Sequence, residues 1–197
     1  MEETKSARRV GEVTASQTQR IEAQCYQAYA APPLGSLVRV GSLPVYAVVL
    51  DIRHEPLDPT RPLAPRGADL ETERELFAAN PQLSVILTTR FTAAIVGYRD
   101  GGAIRAGLPS LPPDLHSFVF TGDDADLSVL GGDFAWLRLL LGEGSAAADA
   151  AIANLLRQTA NTRADSRRFL LGAGKALAAE LSGEPRRMRA LLREVGA

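Results

Sequence analysis

The apolar residues of this chain repeat in one way as far as Gly122 and in another beyond Gly132. Short runs rich in β-branched residues, separated by proline and glycine, give way to long stretches with apolar positions three and four residues apart. The first pattern belongs to strands and the second to helices. The chain therefore reads as strands first, helices last, which is the order of an α+β protein.

Within the first part, residues 10–29 carry β-branched and polar residues in alternation and read as a long first strand or hairpin arm. Pro32-Pro33 breaks it, and Gly35 opens a second run at residues 36–40. Residues 45–52 (VYAVVLDI) form the strongest strand signal, β-branched and almost continuously apolar. Residues 55–67 are proline-rich and aperiodic, a loop of a length that is often functional or mobile. Residues 69–77 read as a short helix with acids in its first turn, ended by Asn80-Pro81. Strand character returns over residues 83–98, turns at Asp100-Gly101-Gly102 into residues 103–105, and closes with residues 116–120.

After Gly122, residues 123–130 read as an acidic connector. Four helices are then expected. Asp133 caps one carrying Phe134, Leu137, Leu140 and Leu141. Ser145 caps a second, faced by Ala148, Ile152, Leu155, Leu156 and Thr159. The third covers residues 163–181, and the fourth opens with Pro185 and shows Met188, Leu191, Leu192 and Val195 on one side. The expected architecture is a small closed β-barrel of about six strands with one short inserted helix, followed by a bundle of about four helices. The implied division is a flexible terminus over 1–9, a barrel over 10–122 and a helical region over 123–197.

Residues 33–40 (PLGSLVRV) followed by 45–52 resemble the HAS barrel, the small barrel shared by HerA-type helicases and F-type ATP synthase subunits. Its pattern is a glycine before a strand that sets down valines at alternate positions, then a second apolar strand. Residues 94–98 (AIVGY) and the prolines at 109, 112 and 113 are similar to its closing strands and exit. The likeness spans residues 10–121, and it departs from the pattern at Ala47, where a glycine is expected. Barrels of that family form ring-like crowns beside ATPase domains. The resemblance thus implies self-association, or a P-loop ATPase supplied by another chain.

At 197 residues, with 46% hydrophobic and 23% charged residues, the chain can build a core. It has no apolar run near the roughly 20 residues needed to span a bilayer. The opening MEETKSARRVGEV lacks the apolar stretch of a secretory signal, and Cys25 is the single cysteine, so a cytoplasmic protein is expected.

Each chemistry-bearing residue has an ordinary reading. Gly172-Ala173-Gly174-Lys175 imitates the end of a phosphate-binding loop, but Phe169 stands at the first glycine position and Ala176 at the hydroxyl position. The segment sits in a helical pattern, where small residues admit a neighbouring helix. His54 and His116 lie far apart in sequence, and a metal site needs more ligands than that. Asp123, Asp124 and Asp126 lack the glycine and distal glutamate of a calcium loop. Serine, histidine and aspartate occur without a nucleophile elbow. No catalytic residue, cofactor or metal is expected.

Charge is divided unevenly. Residues 1–149 hold 13 basic and 19 acidic side chains, whereas residues 150–197 hold 9 and 4. Arg163, Arg167, Arg168, Arg186, Arg187, Arg189 and Arg193, with Arg157, form a candidate surface for phosphates or an acidic partner. The ordinary reading is a solvated helix face, and Phe169 is the one aromatic residue there that could stack a base. The expected function is a non-catalytic protein-interaction or assembly module, with a nucleic-acid-associated accessory factor as the alternative.

Overall fold

Glycine at position 11 allows the first hairpin to form. The computed structural model describes residues 7–130 and 132–196, and in it β1 (Arg9–Ser16) pairs antiparallel with β2 (Arg20–Cys25), placing Gly11 opposite Cys25. A Cβ on Gly11 would lie 2.1 Å from the Gln24 carbonyl oxygen, so any other residue would push the strands apart. Strands β3 (Leu37–Val40), β4 (Val45–Pro56), β5 (Leu87–Asp100), β6 (Ala103–Ala106) and β7 (Phe118–Thr121) follow. The sheet runs β2-β1-β7-β3-β4-β5-β6, and a further pairing of β2 with β5 closes it. Six antiparallel strands make the barrel, and β6 hangs outside it as a hairpin partner of β5.

The near-continuous apolarity of residues 45–52 now has a cause. Val45, Ala47 and Val49 fill the barrel with Val38, Ile21, Phe91, Ile95 and Val119. Tyr46, Val48 and Leu50 point the other way, into a second core shared with the helices. Strand β5 divides likewise, Ala93 and Ile95 inside, Ala94 and Val96 outside. A strand buried on both faces loses the polar alternation of a half-exposed one.

The helices are α1 (Glu73–Ala79) and α2 (Leu83–Ile86) between β4 and β5, then α3 (Asp124–Leu130), α4 (Leu137–Leu141), α5 (Ala146–Asn161), α6 (Ser166–Glu180) and α7 (Pro185–Val195). α5 lies against the barrel at Gly35, which has φ 80 and no room for a side chain: a Cβ would sit 2.5 Å from the Ala151 carbonyl oxygen. Beside it the Asn154 amide donates to the Leu34 carbonyl at 3.0 Å. Ion pairs add to the attachment. Arg20 meets Glu143 at 2.7 Å, and Arg187 of α7 grips Asp149 of α5 at 2.7 Å while donating to the Leu141 carbonyl of α4.

The α+β class and the closed barrel are as expected; several local readings are corrected. Residues 10–29 contain two strands, because residues 17–19 turn between β1 and β2. The acidic stretch 123–130 is helical: Asp123 and Asp126 accept each other's backbone N–H groups, at 2.8 and 3.3 Å, and so satisfy a helix start. Strand β5 starts at Leu87 because residues 83–86 wind into α2. The inserted helix begins at Glu73 because the Thr72 side chain caps it. Phe134 takes φ 40 and stays outside α4, which begins at Leu137. The third expected helix starts at Ser166, capped by Asp165. Among the described residues the C-terminal region thus has five helices and the insert two. Of the terminus expected to be flexible, residues 1–6 lie outside the described residues, while Arg9 opens β1 and the Arg8 N–H donates to Thr121 Oγ1 at 2.9 Å.

Gly172 and Gly174 fall within α6. A Cβ on Gly172 would lie 3.1 Å from the Phe134 ring, and one on Gly174 would lie 3.7 Å from Leu192. The glycines make room for neighbouring side chains.

Candidate binding surfaces

Where β2 and β4 leave the barrel, the chain builds an open trough of about 630 Å³. One bank is the end of β2 and the turn after it, with Cys25, Tyr26 and Tyr29. The other is the insert between β4 and β5, with Leu57, Phe77 of α1 and Val85 of α2. Leu87 and Thr88 of β5 complete the wall, and none of the lining side chains is charged.

Tyr29 is held in place by its backbone. Its φ of 63 is in the left-handed region. Its N–H donates to Thr89 Oγ1 at 2.7 Å, and His54 Nδ1 lies 2.8 Å from the same hydroxyl. Thr89 is fully buried, so this hydroxyl anchors two residues from below. The Tyr29 ring leans on His54 at 4.8 Å between centroids and meets Phe77 edge-on at 6.3 Å. The trough therefore has a fixed aromatic floor.

The trough is open, and its apolar side chains reach solvent. Tyr26, Tyr29, Leu57, Phe77 and Val85 are all exposed, Val85 at 71%. Burial pushes the Cys25 thiol up to about 11, the response of an ionisable group to an apolar wall. Arg9 and Arg8 stand on the β1 side, Arg9 with its guanidinium 5.4 Å from the Tyr26 ring and 4.7 Å from that of Phe118. The Tyr26 hydroxyl donates to Glu12 Oε1 at 2.9 Å, and His116 Nδ1 lies 2.9 Å from Glu12 Oε2. These contacts hold the Glu12 carboxyl below its ordinary range, the His116 hydrogen bond being the largest cause and that from Tyr26 the next.

The arginines expected to form a binding surface are placed differently from one another. Arg187 is largely buried in its pairing with Asp149, which holds its guanidinium pKa above the ordinary value. Arg163 donates to the Ser128 carbonyl and stacks 5.5 Å from the Phe169 ring. Arg157 donates to the Glu194 carbonyl and to Asn154. Arg189 reaches the Pro185 carbonyl at 3.2 Å on its own helix. Arg167, Arg168, Arg186 and Arg193 are exposed, and their guanidinium groups make no ion pair or hydrogen bond among the described residues. Three of the eight thus brace the helical layer and four are free.

His54 and His116 serve the trough floor and Glu12 respectively, and no group of three or more metal-ligating side chains occurs among the described residues. No described helix is long and apolar enough to cross a membrane. Nothing in the sequence periodicity marks the trough. Tyr26 and Tyr29 looked like strand residues, and Phe77 and Val85 carried no pattern beyond their own short elements. The one available signal was the proline-rich loop, whose first residues include Leu57 of the trough wall. Compared with protein-family models and with curated proteins, the sequence matches none of them.

Proposed function

We propose that this chain is a non-catalytic protein-interaction module that docks a partner protein through the trough at the mouth of a HAS-like barrel. The observation that carries this reading is the cluster of exposed Tyr26, Tyr29, Leu57, Phe77 and Val85 around one uncharged trough. Contiguous exposed apolar surface of this kind marks interaction sites, and each covered Å² contributes about 25 cal/mol. The buried Thr89 hydroxyl holds the Tyr29 backbone and the His54 ring before binding, which lowers the ordering cost of association. The helical layer braces the opposite faces of β4 and β5 and leaves the mouth uncovered. The resemblance to ring-forming barrels makes a P-loop ATPase chain or a second copy of this chain the first partners to test.

A second reading, an accessory factor on nucleic acid, is favoured by the four free arginines Arg167, Arg168, Arg186 and Arg193. Such binding would weaken steeply with salt.

Site-specific photocrosslinking in the source cell separates the two. A photoreactive residue placed at Val85 should give one dominant protein adduct, identified by mass spectrometry, and one at Leu171, exposed on α6, should not. Adducts confined to Leu171, or to nucleic acid, would overturn the first reading.

A further inference from the structure

The trough selects among the side chains a partner could present, and its selection can be read from the lining. We propose that it receives an uncharged aromatic side chain from a segment of the docked protein. This inference rests on the docking reading and adds the chemistry of what enters.

Charge is the first criterion. A charged guest would give up its hydration to a wall without an opposite charge, a loss that hydrogen bonds to Gln27 and Thr88 do not restore. Arg9 is engaged with the faces of Tyr26 and Phe118.

Shape is the second criterion. Tyr29 and Phe77 already meet edge to face, 85° between planes, and Tyr26 stands on the same bank as Tyr29. Rings fixed in this way offer faces and edges to a further ring, an arrangement worth about 0.5–1.5 kcal/mol beyond simple burial. An aliphatic guest buries area but gains none of that. The volume of about 630 Å³ lies within the range of small-ligand sites and admits one large ring with its backbone. The open top suits a side chain that arrives attached to a chain.

The test is a titration of the full ¹⁵N-labelled chain with blocked amino acids, followed by amide chemical shifts. N-acetyl-tryptophanamide should shift Gln24, Tyr26, Tyr29, Leu87 and Thr88. N-acetyl-leucinamide should bind about 2-fold to 13-fold more weakly, the aromatic increment converted to affinity. The lysine and glutamate equivalents should leave those amides unmoved. Phe77→Ala should abolish the preference for tryptophan over leucine, and Val85→Glu should abolish both. Because both substitutions are at exposed positions, retained shift dispersion elsewhere reports an intact fold.

Equal binding of tryptophan and leucine probes, binding of a charged probe, or no shift up to the limit of solubility would each overturn the inference. Failure of the inference alone is distinguishable from failure of the docking reading. In the first case the Val85 crosslink still forms but to a partner segment without an aromatic residue; in the second no adduct forms at Val85.

Discussion

The barrel and the helical layer bury apolar side chains about equally well but finish their surfaces differently. In α5, α6 and α7 the apolar positions turn inward, and Leu171 is the one large apolar side chain there that is exposed. Their outer faces carry arginines, the ordinary finish of an amphipathic layer. On the barrel side, Tyr26, Tyr29, Leu57, Phe77 and Val85 are exposed around one trough, and Leu43, Ile86, Leu111, Leu115 and Phe118 are exposed outside it. The proposed docking site lies in the half that displays apolar side chains. The helices share a core with the outer faces of β4 and β5, and the proposed contact is at the barrel mouth.

The largest effect expected from this contrast concerns the independence of the barrel. Residues 7–122 alone would uncover Tyr46, Val48, Leu50, Ala94 and Val96, the outer faces of two central strands. That fragment should aggregate or lack a cooperative melt by sedimentation and circular dichroism. A monomeric, well-dispersed barrel would show that the helices are an appendage.

Next in size is a core truncation. Leu156→Ala, at a fully buried position in the shared core, should cost about 2–5 kcal/mol. The emission of Trp136, the single tryptophan and a member of that core, should change at the same denaturant concentration as the far-ultraviolet signal of the whole chain. Two separated transitions would mean that barrel and helices unfold independently.

A smaller effect distinguishes bracing arginines from free ones. Arg187→Ala breaks the Asp149 pair and should cost about 1.5–3 kcal/mol, the range for hydrogen bonds to charged groups. Arg167→Ala should stay within about 0.5 kcal/mol in the same denaturant titration. Equal costs would erase the difference in placement.

A further effect is chemical. With the Cys25 thiol raised from 9.0 to about 11, its thiolate fraction at pH 8 falls roughly 100-fold, and iodoacetamide should label it that much more slowly than a free thiol. The sign for stability follows. The folded pKa is above the unfolded one, so this contribution is whole below pH 9 and is lost as pH rises through about 11. Labelling at the free rate would mean that the trough wall is open to water.

Much of this architecture was legible because strand and helix periods differ. The switch near Gly122, the Ser145 cap and Pro185 at the start of α7 are all local signals. Residues 123–130 were misread because acids suggested solvent, whereas Asp123 and Asp126 cap each other across a helix start. The trough was hidden for a different reason. Tyr26, Leu57, Phe77 and Val85 come from four separate segments, and only barrel closure between β2 and β5 brings them together. The arginines were conspicuous by count, but count does not reveal that Arg187 faces Asp149.

Contact at the barrel mouth can be measured on the partner recovered at Val85. Its affinity should be measured for Val85→Glu and for the combined Arg167→Glu, Arg168→Glu, Arg186→Glu and Arg193→Glu variant. The first should lose at least about 30-fold, the size of a hot-spot residue, and the second about 3-fold or less. A large loss in the arginine variant with Val85→Glu unchanged would contradict contact at the mouth and move it to the helices.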